Sequence, residues 1–183
     1  MSINNVLEQS CQFKTDRLSV DYWGNYASVI QDANALPSRI ASILTPEVTK
    51  ALPPGWQQID TINKANEWIK ERVEESAAFA IHLVSENLLA GFLFLNGEYV
   101  SDSNLIDVRL GYLLSEETWG KGLGSEFIKG LAACCEKAEN ISSISGGVEI
   151  NNKASIRVLE KNGFEIMSSD EPIEGTIFLQ RKF

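Results

Sequence analysis

One stretch of the chain restricts its fold more than any other, because a strand, a glycine-rich turn and a helix follow one another directly there. Apolar residues alternate with others over residues 105–114, which is typical of a strand. From Leu123 to Ala138 they recur every three or four residues, which is typical of a helix that packs on a sheet. Residues 119–125 between them read Trp-Gly-Lys-Gly-Leu-Gly-Ser. This succession predicts an α/β fold.

The glycine-rich turn also predicts a site for a phosphate or diphosphate, with a tight connection that binds nothing as the alternative. Small residues leave its backbone N–H groups unobstructed, and the following helix adds the positive end of its dipole. Lys121 is followed by Gly122, where a Walker-type P-loop needs Ser or Thr. The third glycine of a Rossmann fingerprint would fall on Ser125 or Phe127, so that motif is excluded too. The turn therefore serves another phosphate ligand, or none.

Length and composition favour one globular domain over residues 1–183 and exclude several kinds of function. No run approaches about eighteen apolar residues, so we expect no transmembrane span. The net charge of −9 argues against a nucleic-acid partner and is compatible with a cationic acceptor such as an amine. Three cysteines, an odd number, indicate a reducing compartment and thus a cytoplasmic location. His82 is the only histidine, so we expect it to be structural and expect no metal site.

The order of elements along the chain predicts a sheet of mixed direction. A strand near residues 17–21 precedes two short helices in residues 23–45, which Pro37 separates. Asp60 or Thr61 can cap the next helix. A hairpin of residues 79–84 and 88–95 leads to the strand before the glycine turn. After the long helix come a strand, a helix and a closing hairpin, at residues 144–150, 153–162, 164–167 and 176–180.

The glycine turn resembles the coenzyme A pyrophosphate loop of the GNAT acetyltransferase family, whose pattern is Arg/Gln-x-x-Gly-x-Gly/Ala. Gly122 and Gly124 fill its last two positions. Trp119 replaces the Arg or Gln, as in the subfamily of ribosomal-protein serine/alanine N-terminal acetyltransferases. Three more segments are similar to that subfamily, namely Thr-Asp-Arg-Leu at residues 15–18, Gly-Tyr-Leu-Leu at 111–114 and the Asn-x-x-Ser helix that ends in Gly-Phe at 152–164. The resemblance spans about residues 15–182.

This resemblance implies a fold and an activity. The fold is a mixed, mostly antiparallel twisted sheet of about seven strands, flanked by about four to five helices. Two central strands, which end near Leu114 and Ile150, separate and leave a V-shaped cleft for the cofactor. The activity is acetyl-CoA-dependent transfer of an acetyl group directly to a primary amine, either a protein N-terminus or a small amine, by a monomer or homodimer without a metal. A catalytically inactive acyl-CoA-binding or regulatory module and an unrelated nucleotide-binding α/β protein are the alternatives.

The resemblance also implies which residues bind coenzyme A. Backbone groups of Leu113 and Leu114 would bind the pantetheine arm. Asn152 would bind a pantetheine carbonyl, or else cap its own turn, and Ser155 would lie near the sulphur and donate a proton to the leaving thiolate. The backbone of the turn would hold the pyrophosphate through Trp119, Gly120, Lys121, Gly122, Leu123, Gly124 and Ser125. The Lys121 side chain adds charge there or is simply solvated.

The general base is less well defined by the resemblance. The subfamily often carries a glutamate two residues before the Gly-Tyr pair, and Arg109 stands there instead. Asp107 on the same strand face and Glu149 at the end of the next strand are the candidate bases. The alternatives are a surface ion pair of Asp107 with Arg109 and a merely exposed Glu149. Arg109 would attract a carboxylate. The tyrosine that many GNAT enzymes use lies late in the chain, and all four tyrosines here precede that position.

Overall fold

The computed structural model describes residues 2–29, 35–168 and 173–183. Those residues contain seven α-helices, eight strands and two short 3₁₀ turns, Pro54–Trp56 and Glu116–Thr118. The helices are α1 Ile3–Ser10, α2 Trp23–Ser28, α3 Ala35–Ile43, α4 Pro46–Thr49, α5 Ile62–Glu75, α6 Leu123–Lys137 and α7 Lys153–Lys161. The strands are β1 Phe13–Lys14, β2 Leu18–Tyr22, β3 Ala77–Leu83, β4 Leu88–Tyr99, β5 Ile106–Leu114, β6 Ile141–Glu149, β7 Glu165–Ile166 and β8 Thr176–Lys182.

All eight strands form one sheet in the order β1-β2-β3-β4-β5-β6-β8-β7. Every neighbouring pair is antiparallel except β5 and β6, which are parallel because α6 connects them as a crossover. The predicted mixed, mostly antiparallel sheet is therefore confirmed. It has one strand more than expected and more helices, since several of these elements are only two to six residues long.

The two central strands separate as predicted. β5 and β6 pair only between residues 106–109 and 141–145, which we call the closed end. Beyond Arg109 and Ser145, β5 continues along β4 as far as the Gly91–Leu114 pair, whereas β6 continues along β8 as far as the Glu149–Thr176 pair. Each strand thus follows its other neighbour. Residues 110–114 and 146–149, the open end, leave a gap between the strands that points towards the glycine turn.

The core lies on both faces of the sheet. On one face α1, α6 and α7 cover a cluster that includes Leu93, Leu110 and Phe127. On the other face the segment from α2 to α5 covers a cluster that includes Trp68 and Phe92. Successive residues of β4 therefore enter opposite clusters, which explains why its sequence is apolar without alternation. On the second face the helices cover β2, β3 and part of β4, so side chains of β5 and β6 such as those of Arg109 and Glu149 are exposed there.

Local sequence signals account for most helix boundaries. Thr61, one of the two predicted caps, accepts a hydrogen bond from the Lys64 N–H at 3.3 Å and begins α5. Pro37 does not lie between two helices as predicted, because it occupies the first turn of α3, where proline is tolerated. The segment before α3, residues 30–34, lies outside the described residues. The sequence analysis missed α1, which Ser2 caps and Leu7 anchors in the core.

His82 has the structural role expected of it, and Trp56 packs on the same face of the sheet. The His82 Nε2 lies 2.6 Å from an Asp21 carboxylate oxygen, and its ring packs 5.0 Å from that of Tyr26. Trp56 packs edge-on against Trp68 and Phe94 at 5.5 and 5.1 Å between ring centres. Both residues hold the second face of the sheet together. No helix in the described residues combines the length and the apolar character needed to cross a bilayer.

Candidate active site

The glycine turn presents a row of backbone N–H groups that have no acceptor in the described part of the chain. Gly120 and Gly122 have φ values of +70° and +76°, a left-handed conformation that is strained for residues with a side chain. Gly122 is also the N-cap of α6 and carries no side chain that could cap the helix. The N–H groups of residues 120–125 consequently remain unpaired at the positive end of a helix. Such a row can bind the oxygens of an anion.

Arg17 fixes the orientation of this row from the neighbouring β1–β2 turn. Its guanidinium donates a hydrogen bond to the Lys121 carbonyl at 2.9 Å. In a planar trans peptide the carbonyl and the next N–H point in opposite directions. Because Arg17 holds the Lys121 carbonyl, the Gly122 N–H points away from Arg17. The arginine thus turns the Lys121 carbonyl, an acceptor, away from the row of N–H groups and leaves the Gly122 N–H, a donor, within that row.

The same arginine neutralises a carboxylate in the first turn of α6. Glu126 accepts hydrogen bonds from the Arg17 Nε at 2.7 Å, from the Arg17 N–H at 2.9 Å and from the Thr15 hydroxyl at 2.6 Å. Burial alone would raise the pKa of Glu126, but these donors outweigh it and hold the pKa below its usual value. Glu126 is therefore ionised and paired at neutral pH, so its charge faces Arg17 and Thr15.

The other residues of the turn reach the site through their backbones. The Trp119 indole N–H donates to the Leu114 carbonyl at 2.9 Å, which fastens the turn to the end of β5 and gives this tryptophan a role of its own. Lys121 is exposed, and the Leu123 side chain is buried in the core. Gly124 lies against Val158, and the Ser125 hydroxyl accepts a hydrogen bond from the Asn162 amide at 3.2 Å. These contacts pack α7 against the first turn of α6.

The open end of β5 also leaves backbone groups unpaired, although not all of those that the sequence predicts. Backbone groups alternate between the two sides of a strand. Ile106 donates to the Asn140 carbonyl on the β6 side, so the backbone groups of Tyr112 and Leu114 face the same side and thus the gap. The Leu114 carbonyl already accepts the Trp119 indole N–H, so within the described residues only the Leu114 N–H is free. Leu113 lies opposite Phe92 and turns its carbonyl towards Gly91 on β4. The backbone groups of Leu113, predicted to bind the pantetheine arm, thus face β4, whereas those of Tyr112 face the gap.

Two hydroxyl groups meet where the gap reaches α7. The Tyr112 O–H donates to the Ser155 Oγ at 3.4 Å, and the Tyr112 ring packs 5.4 Å from that of Phe127. Burial raises the pKa of Tyr112 above its usual value, although the hydrogen bond to Ser155 lowers it somewhat. Tyr112 therefore keeps its proton at neutral pH. Tyr112 was not among the residues predicted for the site, because the tyrosine that many GNAT enzymes use lies later in the chain.

Asn152 caps α7 next to this pair of hydroxyls. Its side-chain oxygen accepts a hydrogen bond from the Ser155 N–H at 3.1 Å, which is the local role that the sequence left open. The cap uses only the amide oxygen. The amide NH₂ group of Asn152 has no hydrogen-bond partner in the described residues, so it can still donate to a carbonyl in the gap.

Asp107 lies away from these groups. Its carboxylate accepts hydrogen bonds from the hydroxyls of Ser142 and Ser143 at 2.5 and 2.6 Å, at the closed end. Five residues of strand separate it from Tyr112, which corresponds to about 16 Å. Arg109 does not pair with Asp107 but with Glu98, at 2.9 Å on the exposed face. The contacts of Asp107 hold the two strands together and give no support to a role as base.

Glu149 is the predicted base that lies beside the gap. It ends β6, is exposed, and has no ion-pair partner within the described residues. Its backbone partner Thr176 begins β8 on the opposite side from β5. The described residues contain no cluster of His, Cys, Asp and Glu that could hold a metal ion. What the site offers chemically is therefore anion binding, hydrogen bonding along a gap, and a protonated hydroxyl pair.

Comparison with known proteins agrees with this arrangement. A family model of the acetyltransferase (GNAT) domain matches residues 28–165. The fold is similar to that of a GNAT-family acetyltransferase from Bacillus anthracis, at 17% identity and a TM-score of 0.69, over 93% of this chain and 98% of that one. A search of curated proteins finds no match.

Two further solved structures carry more specific names. One is a ribosomal L7/L12 alpha-N-protein acetyltransferase in complex with coenzyme A, at 15% identity and a TM-score of 0.68, over 92% and 95% of the two chains. The other is the ribosomal-protein-S5-alanine acetyltransferase from Vibrio fischeri, at 16% identity and a TM-score of 0.62, over 93% and 96%. At such identities these structures establish the fold alone. Since the family model also covers most of the sequence, the chain belongs to the GNAT family of acetyltransferases.

Proposed function

We propose that this chain, acting as one domain over residues 1–183, is an acetyl-CoA-dependent N-acetyltransferase that transfers the acetyl group directly to a primary amine. One observation carries the proposal. The unpaired N–H groups of residues 120–125 stand at the mouth of the gap between β5 and β6, where two further donors, Tyr112 and Ser155, also lie. A diphosphate at the turn and a pantetheine arm in the gap would bring a thioester to those hydroxyls.

Each part of the site has one task in binding. The turn and the α6 N-terminus would hold the pyrophosphate, as backbone N–H groups at a helix start do for anions generally. Backbone groups of Tyr112 and the Leu114 N–H, together with the Asn152 amide, would orient the pantetheine arm. Because Arg17 pairs with Glu126, the carboxylate of the first turn does not oppose this anionic substrate. Binding then depends on local dipoles, which is consistent with the net charge of −9.

The chemical step needs two proton transfers. The amine nitrogen forms a bond to the acetyl carbonyl carbon, the carbon–sulphur bond breaks, and the sulphur leaves with the electron pair. Ser155 would return a proton to that thiolate and recover it from Tyr112, whose raised pKa keeps the proton available. The attacking nitrogen loses its extra proton to a base. Glu149 at the gap is our candidate for that base, and Asp107 is left out because it lies at the closed end, where its Oδ1 accepts two serine hydroxyls.

The acceptor class follows from the reaction itself. Direct transfer requires a neutral amine, so a protein N-terminus or a small amine fits, in a monomer or a homodimer. The acidic composition argues against nucleic acid as a partner. Three free thiols, two of them buried, favour the cytoplasm as the place of action. No metal is required for any step.

Release of free coenzyme A thiol tests the proposal. Acetyl-CoA is incubated with a panel of small amines and N-terminal peptides, and thiol is measured against time. We expect at least one acceptor to release thiol and to gain 42 mass units by mass spectrometry, as an acetyl group requires. Arg109 at the usual glutamate position favours the alternative of an inactive acyl-CoA-binding module. Tight binding of acetyl-CoA without thiol release from any acceptor would support that alternative, and preferential binding of ATP or NAD would contradict both.

A further inference from the structure

A cationic groove adjoins the glycine turn on the α6 and α7 side of the sheet. It encloses about 1240 Å³ and lies between the second turn of α6, the end of α7 and strands β7 and β8. Ser125 belongs both to the turn and to the wall of this groove. The groove is therefore continuous with the place where the unpaired N–H groups lie.

The charge of the groove is opposite to that of the whole chain. Lys129, Lys161, Arg181 and Lys182 line it, together with a single carboxylate from Glu165. Across residues 2–29, 35–168 and 173–183, no carboxylate lies within ion-pair distance of the three lysine amino groups. In a chain with 25 acidic and 16 basic residues such a concentration of unpaired cations predicts an anionic ligand.

Hydrogen bonds hold the two helices that supply Lys129 and Lys161. The Asn162 amide donates to the Val158 carbonyl at 2.8 Å and to the Ser125 carbonyl and hydroxyl at 3.3 and 3.2 Å. Lys129 stands one turn after Ser125, and side chains of a helix lean towards its N-terminus. Lys129 therefore leans back towards the glycine turn. Lys161, next to Asn162, lines the same groove as Lys129.

Arg181 forms a fixed wall and is not a free ligand. Its guanidinium donates to the Asn162 carbonyl at 2.9 Å and lies 3.6 Å from a Glu136 carboxylate oxygen. Lys182 lies on β8 opposite Ser143, away from the glycine turn. Lys129 and Lys161 therefore remain as the two point charges near the turn, with no carboxylate partner in the described residues. An ammonium group of this kind suits a terminal phosphate, which carries its charge on three equivalent oxygens.

We propose that Lys129 and Lys161 bind the ribose 3′-phosphate of coenzyme A. This inference rests on the proposed function, because it takes the diphosphate to lie at residues 120–125. Coenzyme A carries a phosphate monoester one ribose away from its diphosphate. The groove is the cationic surface that begins at that turn, so it would distinguish coenzyme A from carriers that lack this phosphate.

Binding of coenzyme A and of dephospho-coenzyme A, which lacks only the 3′-phosphate, tests the site. Dissociation constants are measured by calorimetry for the wild type, for Lys129→Gln/Lys161→Gln and for Lys70→Gln, an exposed lysine of α5 that serves as control. We expect the wild type to bind coenzyme A about 10-fold more tightly than the dephospho form. The double variant should bind both equally, at the wild-type affinity for dephospho-coenzyme A, and the Lys70 variant should behave like the wild type.

The possible failures separate the two proposals. Equal affinity of the wild type for both ligands, or an equal loss of both affinities in the double variant, would overturn the groove site and leave the proposed function intact. Absence of binding for either ligand would overturn the proposed function and the groove site with it. The preference should also decrease at high salt, because exposed charges are screened.

Discussion

The two ends of the β5–β6 pair use polar groups in opposite ways. At the closed end one oxygen of the Asp107 carboxylate accepts two serine hydroxyls, and the strands are hydrogen-bonded to each other. At the open end the backbone of Tyr112 and the N–H groups of the glycine turn have no partner among the residues that the structure describes. Nine residues of one strand thus contain a joint and a site. A polar residue near a site is informative only when its hydrogen-bonding capacity is still free.

Among the substitutions that test the difference between the open and the closed end, Tyr112→Phe should lower kcat most. Loss of the hydroxyl removes the proton source behind Ser155, so kcat should fall about 100-fold while coenzyme A affinity stays within about 2-fold. Ser155→Ala should lower kcat in the same way, and the double variant should be no worse than the poorer single one. Steady-state kinetics and calorimetry check this. Unchanged turnover in both variants would remove the relay from the mechanism.

The pH dependence adds an independent check on Tyr112. Its pKa is raised by burial, so the hydroxyl stays protonated beyond the ordinary tyrosine value of about 10. We therefore expect that deprotonation of Tyr112 does not lower kcat below about pH 10. Any alkaline decline of the wild type below that pH should then also be present in Tyr112→Phe. A decline between pH 7 and 9 that disappears in this variant would show a tyrosinate and contradict the assignment.

Gly122→Ala should have the next largest effect. A non-glycine residue at φ +76° costs about 1–2 kcal/mol, and the exposed turn can relax to avoid that cost when no ligand is bound. Binding must then restore the strained turn, so coenzyme A affinity should fall about 5- to 30-fold. Gly175→Ala is the matched control, since its φ is +77° in a turn before β8. It should lower stability without changing affinity, and equal losses of affinity would refute the argument.

Arg17→Met is expected to act more weakly and on binding alone. The variant frees the Lys121 carbonyl and exposes the Glu126 charge, so coenzyme A affinity should fall about 5-fold with kcat unchanged at saturation. Arg109→Met breaks the exposed pair with Glu98 at the closed end and should change neither quantity. A fall in kcat at saturating substrate would show that Arg17 does more than orient the turn.

The effect of Arg17→Met should also depend on pH in a defined direction. The pKa of Glu126 is lowered in the folded protein, so its pairing stabilises the turn above the unfolded pKa of about 4.3 and is lost as the pH falls through the lower folded value. The difference in coenzyme A affinity between wild type and variant, measured by calorimetry, should persist from pH 6 to 8 and decrease only below about pH 4.

Asp107→Asn should have the smallest effect on catalysis. Its carboxylate joins β5 to β6 through Ser142 and Ser143, so the change should cost about 1 kcal/mol of unfolding free energy and lower the Tm by about 2–4 °C. The pH–rate profile should match that of the wild type. A profile that loses its acidic limb would restore Asp107 as a base.

Sequence patterns determined the parts of this site that depend on neighbours along the chain. Three glycines and a helix start within the same seven residues predicted a tight turn with unobstructed N–H groups, and the structure contains that turn. Asn152, three residues before Ser155, was recognisable as a helix cap for the same reason. Both features involve hydrogen bonds or dihedral angles within a few residues. Local physics is sufficient for them.

The contacts between residues that are far apart in the chain could be seen only in the folded structure. Tyr112 precedes Ser155 by 43 residues and reaches it only because α7 crosses the open end of β5. The backbone groups of Tyr112 face the gap and those of Leu113 face β4, because β6 and β4 lie on opposite sides of β5. Arg17 and Glu126, 109 residues apart, gave no joint signal in the sequence. The order of residues along the chain was therefore enough to predict a glycine turn at a helix start and a mixed sheet. The pairing of distant strands and helices determined which polar groups have partners and which are free, because those contacts join residues that are far apart in the chain.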